Sequence, residues 1–220
     1  MSFRTKFDEQ LEKLNKSLVE MGETVEKAIN DATKALVEKD IELAKKIVEF
    51  DDEIDEKEKE IESQCLKIII QQHPVAGDLK LVSAVLKIIT DLERIGDHAA
   101  DISEITLLLA EFPYIKELKH IPQMAEETMK MLTKSIEAFV NKDLELAREV
   151  ITYDDVVDKL FLVVKEELTE LIKEDVKNTD QAMDFMMIAK YFERIGDHAT
   201  NIAEWVVFSL TGEHKNRKIM

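Results

Sequence analysis

The sequence predicts an all-α fold, built from two tandem, antiparallel three-helix bundles. The chain of 220 residues contains only 5 Gly and 3 Pro, which is too few for the turns of a many-stranded β fold. Its apolar residues recur every three or four positions over long stretches, and this spacing places them on one face of a helix. A run of seven residues occurs twice, which indicates that the second half duplicates the first.

Three helices are predicted in the first half. The first carries its apolar residues through 7–36. The second starts at Asp40, a residue type that caps helix N-termini, and ends before Pro74. The third begins near Asp78 and stops at Pro113, because the residue before a proline avoids the helical conformation. The short loops between these helices make neighbours antiparallel.

Three further helices are predicted in the second half, over residues 118–139, about 143–173 and about 180–211. The residues beyond Gly212 are expected to fray as a tail. The chain is therefore divided into a first bundle, a second bundle and a tail (1–113, 114–212 and 213–220).

The duplication is clearest in the third helix of each half. The sequence Glu93-Arg-Ile-Gly-Asp-His-Ala99 returns unchanged at 193–199. Upstream, residues 39–55 return in similar form at 142–158, including an Asp-Asp-x-x-Asp sequence in both copies. Seven identical residues in a row are unexpected by chance, so we interpret the three-helix unit as one that is used twice.

Composition excludes several classes of function. With 47 acidic and 30 basic residues the net charge is -17, and this charge repels nucleic acids and anionic lipids. Apolar stretches are broken by charges well before the ~18 residues needed to span a bilayer, so direct membrane insertion is not expected. The single cysteine, Cys65, fits a reducing compartment and is expected to be buried. Since the N-terminus has no signal-peptide pattern, we expect a cytoplasmic protein.

Acidic side chains interrupt the apolar face of the third helix and of the sixth. Four carboxylates of the third helix fall within about 80° of one another: Glu93, Asp97, Asp101 and Glu104. The sixth helix carries the same pattern with one amide: Glu193, Asp197, Asn201 and Glu204. A carboxylate in an apolar sector must be paired, protonated or metal-bound.

The second and fifth helices supply matching aspartates. A solvated acidic face, or ion pairs with Arg94 and Arg194, would also explain the pattern. We favour a metal, because clusters of oxygen ligands select hard cations such as Mg²⁺, Mn²⁺, Ca²⁺ or iron. The candidate ligands are Asp51, Asp55, Glu93, Asp97, Asp101, Asp154, Asp158, Glu193, Asp197 and Asn201.

Histidines and glycines within the duplicated sequence are interpreted separately. His98 lies about 140° from Glu93 around the helix, so it and His198 are interpreted as packed and hydrogen-bonded to a neighbouring helix. Gly96 and Gly196 each cost a helix about 1 kcal/mol relative to alanine. Tight helix packing and the close approach of a backbone or of a metal-bound ligand both remain explanations for them.

The duplicated Glu-Arg-Ile-Gly-Asp-His-Ala sequence, with Asp-Asp-x-x-Asp upstream in each half, resembles the PhoU family of phosphate-uptake regulators over nearly the whole chain. The resemblance implies a PhoU-like pair of bundles in a cytoplasmic homodimer. It implies a negative regulator of the phosphate-starvation response, acting as an adaptor between the ATPase of a phosphate ABC transporter and a sensor histidine kinase. No catalytic residue is assigned, although a metal-dependent phosphohydrolase and a metal-storage protein remain alternatives.

The resemblance also implies multinuclear metal sites, with iron first and Mn, Mg, Ca or Zn as alternatives. The family's acid-x-x-x-Asp motif falls here on the pairs 51/55, 93/97, 97/101, 154/158 and 193/197. Asn201 departs from it, because the first half has Asp101 at the matching position. We therefore predict unequal sites, the second holding less positive charge or fewer ions.

Overall fold

Six long helices make up most of the computed structural model, which describes residues 3–75, 77–215 and 217–218. They are α1 (Phe3–Glu38), α2 (Ile41–Gln72), α3 (Gly77–Leu109), α4 (His120–Asn141), α5 (Leu144–Glu174) and α6 (Thr179–Thr211). A 3₁₀ turn, Val176–Asn178, precedes α6. The helices α1 to α3 pack together, as do α4 to α6. This arrangement confirms the predicted all-α fold of two tandem three-helix bundles.

Local sequence explains where the helices begin and end. The side chain of Asp40 accepts a hydrogen bond from the Leu43 amide at 2.9 Å, and Asp143 caps α5 in the same way. These caps satisfy amides that have no partner within the helix. At the other end of α6, Gly212 adopts the left-handed conformation with φ of 82°, which a glycine accepts without strain. The duplicated aspartates therefore start equivalent helices.

The tail differs from its prediction. Two short strands, β1 (Glu213–His214) and β2 (Arg217–Lys218), pair antiparallel, where a frayed end was expected. The His214 ring stacks on Trp205 of α6 with 3.9 Å between ring centroids. This aromatic contact holds the first strand on the bundle, which a terminal position alone does not reveal. Residues 216, 219 and 220 lie outside the described part of the chain.

The helices α3 and α6 lie at the centre, packed against each other as well as within their own bundles. Their apolar faces are buried, as is Cys65 of α2, in agreement with the prediction. A second contact between the bundles joins α1 and α4. Across the described residues, no helix offers an apolar stretch that would span a bilayer.

Hydrogen bonds hold the connection between α3 and α4 in place. The hydroxyl of Tyr114 donates to the carbonyl of Leu36 at 2.6 Å, which ties the connection to the end of α1. The side-chain amide of Gln181 in α6 donates to the carbonyl of Pro113 at 3.1 Å. Both bundles therefore hold the segment around Pro113. The domain boundary drawn there stays a prediction.

Candidate metal centre

In the first bundle, α2 and α3 lie side by side and bring four carboxylates together, here called the α2–α3 cluster: Asp51, Asp55, Glu93 and Asp97. Spacing of four residues places each pair on one face of its helix. Oxygen atoms of Asp55, Glu93 and Asp97 all lie within 4.8 Å of one another. Three oxygen donors converging in this way fit a hard cation.

Asp51 lies deeper in this cluster. Its Oδ1 is buried and has no hydrogen-bond partner among the described residues. Burial, followed by the charges of Asp97 and Asp55, raises the pKa of Asp51 to about 6. A buried carboxylate oxygen without a donor is costly, so this side chain requires either a proton or a cation.

Glu93, like Asp51, has a buried carboxylate oxygen without a hydrogen-bond donor. Its Oε2 is buried and lies 3.4 Å from Arg94 Nε, but it accepts no hydrogen bond within the described chain. Burial and the charge of Asp97 raise the pKa of Glu93 to about 7, although Arg94 opposes this shift. Arg94 itself is more than half exposed and donates to Asp97 at 2.8 Å. The ion-pair explanation therefore accounts for only part of the cluster.

The two orphaned oxygens provide a test of fit for a metal. A cation bound by Asp55, Glu93 and Asp97 would supply the positive charge that Glu93 lacks, and it would reduce the repulsion felt by Asp51, which lies beside these three carboxylates. The donors are all carboxylates, which suits iron, manganese, magnesium or calcium better than a thiolate-seeking metal. The residues present therefore fit the expected group.

Glycine at position 96 allows α2 to approach α3 closely. A Cβ at Gly96 would lie 2.7 Å from Cδ1 of Ile54 and 3.5 Å from Oδ1 of Asp51. At Gly196, a Cβ would lie 3.3 Å from Oδ1 of Asp154. Tight helix packing thus explains both glycines, and it is this packing that places an aspartate of one helix against the backbone of the next.

The second bundle repeats the arrangement between α5 and α6 with another set of four carboxylates, here called the α5–α6 cluster: Asp154, Asp158, Glu193 and Asp197. Burial, followed by the charges of Asp158 and Asp197, raises the pKa of Asp154 to about 6. No three carboxylates of this cluster, all of which the structure describes, converge as closely as those of the α2–α3 cluster.

A lysine distinguishes the two clusters. Lys190 forms an ion pair with Glu193 and lies over the ring of Phe161. The matching residue of α3 is Thr90, whose hydroxyl donates to Glu58 at 3.0 Å. The α5–α6 cluster therefore contains a positive charge that the α2–α3 cluster lacks at the same position. Lys190 was not among the residues predicted from the sequence, although an alignment of the two halves shows this difference.

Asp101 and Asn201, which are predicted as metal ligands, also have partners outside the two clusters. Asp101 Oδ2 lies 3.3 Å from Nδ1 of His98. Asn201 donates to Asp91 Oδ1 at 3.3 Å, across the contact between α6 and α3. Asn201 therefore contacts the neighbouring bundle, whereas Asp101 lies close both to Tyr191 of α6 and to Asp51 of the α2–α3 cluster. A helical projection places them on the acidic face, but it carries no information about the opposing helix.

The two histidines lie at the same interface. His198 Nδ1 is 2.8 Å from Asp91 Oδ1 on the neighbouring helix, as predicted for a packed histidine. His98 is buried, and its ring lies 5.3 Å from that of Tyr191 in α6. Burial lowers the pKa of His98. Asp91 and Tyr191 were not singled out from the sequence, although they occupy matching positions at which the two halves differ.

Comparison with known proteins agrees with this architecture. The family model described as "PhoU domain" matches residues 18–106 and 121–206, once in each bundle. A relative from Clostridium acetobutylicum, named a phosphate-specific transport system accessory protein PhoU homolog, is 38% identical over 208 residues, which cover 94% of this chain and 95% of the relative. A homolog of the same name from Aquifex aeolicus is 38% identical over 189 residues, 86% of each chain.

Two solved structures share the fold. The crystal structure of PhoU from Pseudomonas aeruginosa matches with a TM-score of 0.90 and 34% identity, over 94% of this chain and 100% of that one. The phosphate transport system regulatory protein PhoU from Streptococcus pneumoniae matches with a TM-score of 0.86 and 27% identity, over 94% and 98% of the two chains. The similarity therefore extends over both bundles.

Proposed function

Because this chain belongs to the PhoU family, we propose that it is an accessory protein of phosphate transport that lowers phosphate uptake and the phosphate-starvation response. In this role it acts in the cytoplasm as a homodimeric adaptor between the ATPase of a phosphate ABC transporter and a sensor histidine kinase. The names of its relatives support the link to phosphate transport. The proposal assigns it no catalytic step of its own.

We further propose that the α2–α3 cluster binds metal, with iron first and manganese, magnesium, calcium or zinc as alternatives. The observation that carries this proposal is the pair of buried oxygens, Asp51 Oδ1 and Glu93 Oε2, that no donor satisfies within the described residues. The converging oxygens of Asp55, Glu93 and Asp97 supply three donors, and Asp51 lies beside them. A bound cation supplies the missing positive charge and ties α2 to α3.

The α5–α6 cluster has a smaller need for metal in this proposal. Lys190 already neutralises part of the charge on Glu193, and a cation would have to compete with its ammonium group. Asp154 and Asp158 remain available as donors on α5. The predicted inequality of the two sites is thereby retained, with Lys190 as an additional cause besides Asn201.

In this proposal, the bound metal makes the pair of bundles rigid. The helices that carry the clusters include α3 and α6, which also join the two bundles. The connection held by Tyr114 and Gln181 fixes the bundles further. A rigid pair of bundles presents its partner-binding surfaces in a constant relative orientation, which lowers the entropy lost on binding.

A reporter of the phosphate-starvation response tests the regulatory role. Deletion of the gene in its own host should raise reporter output in phosphate-rich medium, and a plasmid copy of the wild-type gene should restore repression. Purified protein should also retain the transporter ATPase or the sensor kinase of that host in a binding assay. An unchanged reporter after deletion would contradict the regulatory role. Separate elemental analysis of the protein tests the metal.

A further inference from the structure

A groove with a volume of about 360 Å³ lies between α1 and α4, on helices that carry neither carboxylate cluster. Its floor is apolar and consists of Val19, Gly22, Leu132, Ile136 and Val140. Gly22 brings the helices close, since a Cβ there would lie 3.2 Å from Cγ1 of Ile136. Val140 in this lining is 42% exposed to solvent. The volume lies in the range of about 300–1,000 Å³ that is typical of binding pockets.

Three glutamates surround this floor. Glu23 and Glu26 belong to α1, and Glu137 belongs to α4. None of the three forms an ion pair with a lysine or arginine of the described chain, and Glu26 instead accepts a hydrogen bond from Thr133 at 3.0 Å. The groove thus combines an apolar floor with three uncompensated negative charges.

We propose that this groove binds an amphipathic helix of a partner protein, one whose apolar face is flanked by lysines and arginines. Apolar side chains spaced by three and four residues would fill a groove between two helices. The basic residues would pair with Glu23, Glu26 and Glu137, which adds specificity to the apolar contact. A partner surface of this kind goes beyond the proposed regulatory role, which does not identify where any partner binds.

A second copy of this chain is a poor occupant of the groove. Each copy has a net charge of -17, and a symmetric contact would bring the same glutamates against each other. Like charges facing one another across an interface oppose association. A basic helix is attracted to the groove instead, because each of the three glutamates then gains an oppositely charged neighbour.

A designed peptide tests the proposal with the full-length protein. The probe is a fluorescein-labelled helix of about five turns, with leucines on one face and lysines on both flanks. Its control is a scrambled peptide of the same composition. Fluorescence anisotropy should show that the amphipathic peptide binds and that the scrambled one binds at least about tenfold more weakly, because only the first presents its leucines together.

Two triple variants separate the groove from general charge attraction. The groove variant is Glu23→Gln, Glu26→Gln and Glu137→Gln, and the control variant is Glu49→Gln, Glu60→Gln and Glu166→Gln, which changes three exposed residues outside the groove. Both remove the same charge, and their helical content and melting temperature are checked by circular dichroism. We expect the groove variant to weaken peptide binding at least about tenfold and the control variant less than about twofold.

Three outcomes would overturn the proposal. Equal weakening by the two triple variants, or equal binding of the scrambled peptide, would show that the peptide responds only to the negative charge of the protein. Sedimentation equilibrium provides the third outcome: if Val140→Arg separates a dimer of the wild-type protein, then the groove is covered by a second copy of the chain.

Discussion

The α2–α3 and α5–α6 clusters have the same carboxylate spacing but different neighbours. In the first, the closest arginine, Arg94, is mostly exposed and leaves Asp51 Oδ1 and Glu93 Oε2 without hydrogen bonds in the described structure. In the second, Lys190 contacts Glu193 directly. A duplicated unit can therefore keep its ligand positions while one substitution beside them changes the local charge. The comparison indicates that the two clusters differ in their demand for a cation.

Removing one ligand from each cluster should produce the largest difference. We expect Asp97→Ala to remove most of the bound metal, because Asp97 is one of the three converging donors, and Asp197→Ala to remove much less. Elemental analysis of the purified, metal-loaded proteins measures the number of ions per chain. Equal losses in the two variants would contradict the inequality of the clusters.

Exchanging the residues at positions 90 and 190 should alter affinity in opposite directions. Lys190→Thr leaves Glu193 without its ion pair, so the α5–α6 cluster should bind metal roughly tenfold more tightly. Thr90→Lys should weaken binding by the α2–α3 cluster, because it adds a competing positive charge. Competition with a fluorescent metal chelator measures both changes. If Lys190→Thr leaves the affinity unaltered, Lys190 is not the cause of the difference.

The pH dependence of stability should also distinguish the clusters. With the pKa of Glu93 raised to about 7 and those of Asp51 and Asp154 raised to about 6, the folded metal-free protein retains protons that the unfolded chain loses near pH 4 or slightly above. The free energy of unfolding should therefore fall as the pH rises from about 4 to about 7. Urea denaturation after treatment with a chelator measures this dependence.

Two substitutions assign the dependence to its sources. Glu93→Gln should make the free energy of unfolding less dependent on pH up to about pH 7. Asp154→Asn should have this effect only up to about pH 6. Returning metal to the wild-type protein should also make its free energy of unfolding less dependent on pH, since the ligands are then ionised at lower pH. Metal-free protein that becomes more stable over this range of pH would contradict the account.

Alanine substitutions at Gly96 and Gly196 should show the smallest difference between the two bundles, and this difference is in the free energy of unfolding. Alanine gains about 1 kcal/mol in helix propensity over glycine, but at position 96 its Cβ would meet Ile54 at 2.7 Å, and overpacking costs typically about 1–3 kcal/mol. Gly96→Ala should therefore reduce the free energy of unfolding by about 1 kcal/mol. Gly196→Ala, with its nearest contact at 3.3 Å, should be close to neutral. Chemical denaturation compares them, and an equal effect would show that the two helix contacts are equally tight.

Much of the fold was predictable because its determinants are local. Apolar spacing identified all six helices, and Asp40 identified the start of α2 from its own position in the sequence. Spacing of four residues also predicted that the carboxylate pairs 51/55 and 93/97 each share a helix face. These features need no knowledge of which helix packs against which.

Contacts between helices limited the prediction of the site. Asp101 shares the acidic face in projection, but its side chain lies beside His98 of the same helix and close to Tyr191 of α6, a residue that the projection does not include. The hairpin of the tail likewise depends on the stacking of His214 on Trp205, a contact that the apolar spacing of α6 does not predict. Lys190 is an exception, because it lies three residues before Glu193 on the same helix, a spacing at which opposite charges can pair, and its ion pair could have been predicted.

Anomalous X-ray scattering tests the central claim most directly, because it locates each ion and compares its occupancy between the clusters. Crystals of the metal-loaded protein would be measured on both sides of the absorption edge of iron, and of manganese or zinc where these were supplied. We expect a strong peak beside Asp55, Glu93 and Asp97 and a weaker one, or none, beside Asp154 and Glu193. Equal peaks, or no peak beside Asp55, Glu93 and Asp97 with any of these metals, would contradict the account.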